Sequence, residues 1–366
     1  MMIPAPEFLP GLELSRIFYE EAVGPILAEA YPALRYSAAR IGAGSEVLGF
    51  DTARSADHDW GPRLDLFLGP NEAADYGADL RQLLGERVPK HVRGWPTNFR
   101  HDDPGDPVGV MELTDGVVNH RVSVNDVSGW LKAQLGIGVV SAEPTVDDWL
   151  AMPQQKLAEV TGGMVFHDGL GTLKAVRRRL AWYPDDVWRY LLACQWQRIS
   201  QEEAFVGRCA EVGDDLGSAL VTGRLVRDLM RLCLLLGRRY TPYSKWLGSA
   251  FRQLPVAERL TPSLCGALTA VEYQAREQHL CDAYEIVAAS QNEMGLAEKM
   301  DPTRRQYHSR PFRVLHAGRF AQALARTIID PALRALPLSG SVDQWADNTD
   351  FLGQHGPVRA AINALT

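Results

Sequence analysis

The chain has 366 residues, too many for one ordinary hydrophobic core, so two domains are expected. Hydrophobic residues make up 46% and charged residues 23%, values of a globular protein that exclude a largely disordered chain. The formal net charge of -7 argues against general DNA or RNA binding, which needs a basic surface, and leaves room for small anionic ligands met by local arginines or a metal.

Residues 12–30 carry a helical stripe of Leu12, Ile17, Phe18, Val23, Ile26 and Leu27, with a kink expected at Gly24-Pro25. A strand is expected over 35–42, small polar turns over 43–56, a strand (RLDLFL) over 63–68 and a helix over 72–84. Short extended stretches follow over 88–99, and an acidic loop, HDDPGDP, over 101–107. A β-hairpin of 108–113 and 117–125 is expected to turn at Thr114-Asp115-Gly116. Asp126 or Ser128 would cap the next helix.

After about residue 140 the strand-like alternation stops. Helices are expected over 146–160, 170–182, 186–198, 201–236 with a break near Gly213 to Gly217, 242–253, 255–269, 272–292 and 311–330. Pro184 followed by Asp185 and Asp186 is a helix start, with negative side chains at the positive end of the dipole. The fold class read from this order is α+β: a small mixed sheet over 1–140, a mainly helical domain over 141–335, and a C-terminal helical tail over 336–366 packed on the helical domain.

Cys194, Cys209, Cys233, Cys265 and Cys281 form no CxxC pair, so they read as free thiols of a reducing compartment rather than a zinc site. The opening MMIPAPEFLPG lacks the basic region and apolar run of a signal peptide, and no apolar run reaches the roughly eighteen residues of a membrane span. A cytoplasmic location without a membrane partner is expected.

The informative stretch is GAGSEVLGFDTARSADHDWGPRLDLFL at 42–68. Asp57 and Asp59, two apart on extended backbone, would point to the same face. Such carboxylates repel unless a cation bridges them, and hard oxygen ligands suit Mg²⁺. Gly44-Ser45, just after a strand, offers close backbone approach, open amides and a hydroxyl to a phosphate. The plainer alternative for Asp57-His58-Asp59 is a solvated turn.

The run from Gly44-Ser45 to Asp57-His58-Asp59 resembles the pattern of the polymerase-beta-like nucleotidyltransferase superfamily, Gly-Ser followed at a short interval by Asp-x-Asp. The resemblance implies that Gly44 and Ser45 contact the β- and γ-phosphates of a nucleoside triphosphate and that Asp57 and Asp59 hold Mg²⁺. It implies a nucleotidyltransferase-like first domain joined to a helical one. The chain is also similar to a poorly characterised bacterial family of that organisation, through DHDWGPRL at 57–64, DWLAMPQQKL at 148–157, GMVFHDGLG at 163–171, YPDDVW at 183–188, WQRISQEEAFVGR at 196–208 and YTPYSKWLG at 240–248. Two departures stand out. Trp60-Gly61-Pro62 follows Asp59 where the superfamily has an apolar strand, which makes Asp65 a competing ligand. A third carboxylate belongs on a later strand, where HRVSVND has Ser123 in the middle and Asp126 at the end, with Glu112 a further candidate.

In the helical half, Glu202 and Glu203 are candidates for a general base that takes a proton from an acceptor; the alternative is a polar network between helices. In YTPYSKW, Lys245 could meet a phosphate and Tyr243 or Trp246 could stack on a base; the alternative is aromatic packing with Lys245 reaching water. His167-Asp168 reads as a turn held by the Asp side chain. Arg310 and His316 have a spacing loosely similar to the Arg-to-His motif of helical RNases.

The leading expectation is a Mg²⁺-dependent nucleotidyltransferase moving an NMP group from an NTP, ATP the first to test, onto an unidentified hydroxyl or amine acceptor. One rival is a nucleotide-binding or sensor protein without catalysis. Another is an RNase or toxin-antitoxin-like module. A third carboxylate near Asp57 and Asp59 would favour catalysis, and an apolar or basic residue there would favour binding. The helical half offers surfaces for a homodimer.

Overall fold

The structure is a computed structural model that describes residues 6–101, 108–138 and 142–365. The acidic loop expected at 101–107 lies, beyond His101, outside the described residues. The chain divides into two compact units, one of Met1–Glu143 with Lys156–Ala181, the other of Pro144–Gln155 with Trp182–Thr366. Boundaries were expected at 140 and 335; here the chain also returns to the first unit after Gln155.

Along the chain come α1 (Gly11–Phe18), α2 (Gly24–Ala30), β1 (Ser37–Arg40), β2 (Arg63–Leu68), α3 (Pro70–Arg87), β3 (His91–Val92), β4 (Trp95–Pro96), β5 (Phe99–His101), β6 (Gly109–Met111), β7 (Arg121–Asp126) and α4 (Val127–Leu135). Then follow α5 (Val146–Ala151), α6 (Gln154–Thr161), β8 (Met164–Asp168), α7 (Thr172–Arg179), α8 (Asp185–Glu202), α9 (Phe205–Glu211), α10 (Asp215–Leu236), α11 (Ser244–Arg252), α12 (Ala257–Thr269) and α13 (Tyr273–Glu293). The last are β9 (Arg305–Gln306), β10 (Arg313–Val314), α14 (Gly318–Ala325) and four short helices, α15 (Pro331–Ala335), α16 (Val342–Trp345), α17 (Thr349–Leu352) and α18 (His355–Asn363).

The first unit is built on a mixed sheet of order β7-β2-β1-β8. β1 is antiparallel to β2 and to β8, and β2 is parallel to β7. All four residues of β1 are buried, as a central strand requires. α1 and α2 join through a π-helical turn, Tyr19–Val23. The wider turn falls next to the expected kink and admits Pro25, which has no N–H to donate. Leu14, Phe18 and Leu27 of these helices meet Leu66, Leu80 and Leu84 in one apolar core.

The hairpin expected between 108–113 and 117–125 does not form. β6 pairs with β5, and β7 crosses over to lie beside β2. Val122 and Val124 are buried in the main sheet, a burial a local hairpin would not give them. β8, in a stretch not expected to hold a strand, adds to the free side of β1. Asp168 ends it, accepting from the Ser37 hydroxyl at 2.6 Å and from the amides of Gly171 and Lys174, each at 3.1 Å, which is the turn held by an Asp side chain. Asp126 caps α4 by accepting from the Gly129 amide at 2.8 Å. Asp126→Ala is expected to lower stability by about 1 kcal/mol, read by urea denaturation. A change well beyond that would assign Asp126 a role other than capping.

The second unit is helical. α8 is its axis: Trp188, Tyr190, Trp196 and Ile199 are fully buried, and the helix packs against α10 and α14. The start at Pro184-Asp185 and the break between α9 and α10 fall where the sequence places them. Buried glutamines tie the tail down. Gln344 donates to the Leu191 carbonyl at 2.9 Å and to Gln195 Oε1 at 3.0 Å, and Gln195 donates to the Asp228 carbonyl at 3.1 Å. The five cysteines are free thiols. Among the described residues no helix is long and apolar enough to cross a membrane.

Candidate functional site

The parallel register sets Arg63 beside Arg121 and Asp65 beside Ser123. The period of two then puts these four on one face, while Leu64, Leu66, Val122 and Val124 face the core. A cavity of 230 Å³ opens over this face, lined by Arg40, Arg63, Asp65, His120, Arg121 and Ser123. Three guanidinium groups and one carboxylate therefore share its wall.

Arg40, the last residue of β1, is only 2% exposed. Its Nε and Nη2 reach Glu46 Oε1 at 2.7 and 2.6 Å, and its Nη1 donates to the Ile41 carbonyl at 2.7 Å. Asp65 lies 3.5 Å from Arg40, and accepts from the Ile41 amide at 3.3 Å and from the Ser123 hydroxyl at 2.8 Å. Arg63 donates to the Asp59 carbonyl and lies 3.7 Å from Glu46. Burial, and then repulsion by Arg40 and Arg121, lower the pKa of Arg63 to about 10, against the pull of Glu46 and Asp65. The group stays charged at neutral pH, held among like charges at a cost that an incoming anion would relieve.

Asp59 has φ +46°, a left-handed conformation that L residues other than Asn and Asp rarely adopt. Exchange with Gly109 holds it there. The Asp59 amide donates to the Gly109 carbonyl at 2.8 Å, and the Gly109 amide donates to Asp59 Oδ1 at 3.0 Å. The same Oδ1 accepts from Arg121 Nη2 at 2.7 Å. Asp57 is different: it ends a 3₁₀ turn, is 63% exposed, and lies 2.9 Å from the His58 ring. The two aspartates expected to act as a pair thus have separate surroundings.

Gly44, expected to cradle a phosphate, has a nearer reason to be glycine. A Cβ there would fall 2.5 Å from the Arg40 guanidinium and 2.6 Å from the Glu46 carboxylate, at φ +156°. Ser45 is half-buried, and its carbonyl accepts from the Phe50 amide at 2.9 Å. A divalent cation needs carboxylate oxygens without stronger partners. Asp59 Oδ1 holds Arg121 and an amide, Asp65 holds Ser123, Asp126 caps α4, and Glu112 pairs with Arg100 at 3.0 Å. This donor set, as arranged, does not fit Mg²⁺ on Asp57 and Asp59. Among the described residues no group of three or more His, Cys, Asp or Glu side chains could hold a metal ion.

Glu202, Glu203, Tyr243 and Lys245 belong to the second unit. Glu203 is buried and spends both oxygens on backbone: Oε2 accepts from the Leu315 amide at 2.8 Å and Oε1 from the Ala317 amide at 2.9 Å. That placement fits the polar-network reading. Glu202 pairs with Arg224 at 2.5 Å. Tyr243 precedes α11, its amide donating to Gln155 Oε1 at 2.9 Å and its ring 4.8 Å from Trp246. Lys245 is exposed, 5.2 Å from the Trp246 ring centre, as in the aromatic-packing alternative. Arg310 lies in the turn between β9 and β10 and pairs with Glu211 at 2.5 Å, while His316, at φ +57°, follows β10.

Arg40, Arg63 and Arg121 were not among the expected site residues. For Arg63 and Arg121 a signal was present: a charged residue in an alternating strand, on the same face as Asp65 or Ser123.

The profile of a family described only as a domain of unknown function (DUF4037) matches residues 149–247. The stretch takes in β8, α8 and α10 and does not reach the Arg121 face. The chain is similar to that family over less than half its length. No curated protein matches it.

Proposed function

We propose that the first unit binds the phosphate groups of a nucleoside triphosphate on the open face of its sheet, with arginines meeting the charge, and that the protein is a nucleotide-binding or sensor protein on a nucleotidyltransferase-like plan. The observation that carries this reading is Arg121 Nη2 at 2.7 Å from Asp59, a basic residue where a third carboxylate would serve catalysis. The mixed sheet, with β1 antiparallel to β2 and β2 parallel to β7, supports the nucleotidyltransferase-like part together with the Gly44-Ser45 and Asp57-His58-Asp59 spacing.

Arg63 and Arg121 donate to phosphate oxygens, singly or as planar forks. Asp59 and Ser123 hold Arg121 and Asp65 in place and so fix the width of the site. At 230 Å³ the cavity suits phosphate groups rather than a whole nucleotide, since pockets for complete ligands run from about 300 Å³ upward. Nucleotidyl transfer to a hydroxyl or amine acceptor is the second reading, favoured by the Asp57–Asp59 spacing; it requires Asp59 to exchange Arg121 for Mg²⁺.

Calorimetric titration with ATP, GTP, CTP and UTP, each with and without Mg²⁺, tests both. Binding without metal is expected, weakened roughly tenfold or more in Arg121→Met and kept in Asp57→Asn. Binding that needs Mg²⁺ and disappears in Asp57→Asn would instead support transfer. A chain that binds none of the four would sink the nucleotide reading altogether.

A further inference from the structure

The second unit holds a polar cavity unrelated to the Arg121 face. Its volume is 350 Å³, and its wall includes Arg198, Arg224, Arg227, Arg231, Asp343 and Asp347. The three arginines of α10 recur at i, i+3 and i+7, so they share one face, and Arg198 of α8 joins them. Trp345 and Gln344 complete the lining, and a second cavity of 160 Å³ shares Arg227, Arg231 and Asp343 with it.

These cations are only partly matched. Arg224 pairs with Glu202 at 2.5 Å, Arg227 with Asp347 at 2.7 Å, and Arg198 with Asp228 at 3.2 Å. Arg231 donates to the Asp343 carbonyl at 3.0 Å and has no carboxylate within 4.0 Å among the described residues. The buried Nε atoms of Arg198, Arg227 and Arg231 all lack a hydrogen-bond partner. Native proteins leave few such donors unmet. Burial and the neighbouring Arg227 hold the Arg231 pKa below its usual range. The opposing Asp343 is pushed up to about 6 by burial, so it offsets less charge than an ordinary aspartate would near that pH.

We propose that this cavity is a second ligand site, for a small phosphate monoester that carries a planar ring. Guanidinium forks match the oxygen edges of phosphate and carboxylate groups, and four guanidinium groups round one cavity suit a dianion such as a phosphate monoester. Trp345, 39% exposed and 6.4 Å from Phe351, gives the ring a face to lie on. Asp347 is 68% exposed and stands in for the ligand by pairing Arg227 in its absence.

The test is calorimetry on the full chain with inorganic phosphate, ribose 5-phosphate and AMP. AMP is expected to bind most tightly, with roughly tenfold or greater loss in Arg231→Met. Asp347→Asn, which frees Arg227, should tighten binding. Trp345→Ala should bring AMP down to the level of ribose 5-phosphate. The proposal is overturned if none of the three binds, if binding follows Arg121 rather than Arg231, or if inorganic phosphate binds as well as AMP. Should Arg231→Met fail to fold, Asp347→Asn decides: affinity equal to the wild type rejects the site.

Discussion

Glu203→Ala is expected to destabilise the second unit by about 3 to 5 kcal/mol, because it strips acceptors from two buried amides at once. Those amides, of Leu315 and Ala317, lead into α14, which packs on α8, so the loss reaches the axis of the unit. Burial raises the Glu203 pKa to about 7 from 4.5, against the pull of the amides of residues 315–317 and of Arg319. The folded chain therefore binds this proton more tightly than the unfolded chain. Its contribution is fully present below pH 4.5 and is lost as pH rises to about 7, on the order of 3 kcal/mol at most. Glu203→Gln cannot titrate, so its deficit against the wild type should be widest near the acid end of that window and narrow toward pH 8. Parallel stability profiles for the two proteins, measured by urea denaturation across pH, would remove the carboxyl from the account. A pKa near 7 is also what a general base needs, so the number alone would mislead.

Arg40→Met should cost about 3 to 5 kcal/mol, the penalty for stranding one member of a buried ion pair. Glu46 is 2% exposed and one of its oxygens already lacks a partner, so only the more distant Arg63, at 3.7 Å, remains to offset its charge. Arg40→Met with Glu46→Leu is expected to recover part of the loss, since replacing both charges removes the orphan. Equilibrium unfolding of the single and double variants measures both terms. A cost below about 1 kcal/mol for the single variant would mean that water reaches the pair. Because Gly44 packs against the same two side chains, the segment after β1 should loosen with them.

What the sequence made legible follows burial and local chemistry. RLDLFL is a strand at its stated ends because it alternates over Arg63–Leu66, closes on the apolar run Leu66–Leu68, and Gly69-Pro70 stops it. Pro184-Asp185-Asp186 opens α8 for the reason the helix dipole gives. β8 escaped notice because MVFHD is short, lies between glycines and is nowhere fully buried, so neither period shows. β7 was recognised and misassigned, because its partner lies more than fifty residues upstream while a turn sat within reach. The site shows a related limit. Asp57 and Asp59 are two apart in sequence, and that spacing suggested a pair. Arg63 and Arg121 become neighbours only through register, which no local pattern encodes.

The return of the chain to its first unit sets a timetable for synthesis. β1 leaves the ribosome early and gains β2 soon after, but its other margin waits for β8, on the order of a hundred residues behind β2. At ordinary elongation rates that is roughly ten seconds during which a strand that ends up buried presents bare N–H and C=O groups to solvent or to a neighbouring nascent chain. A gene fragment ending at residue 143 makes that interval permanent. It would yield a protein with an open strand margin that seeks its own copies, whatever the soundness of the rest of its core.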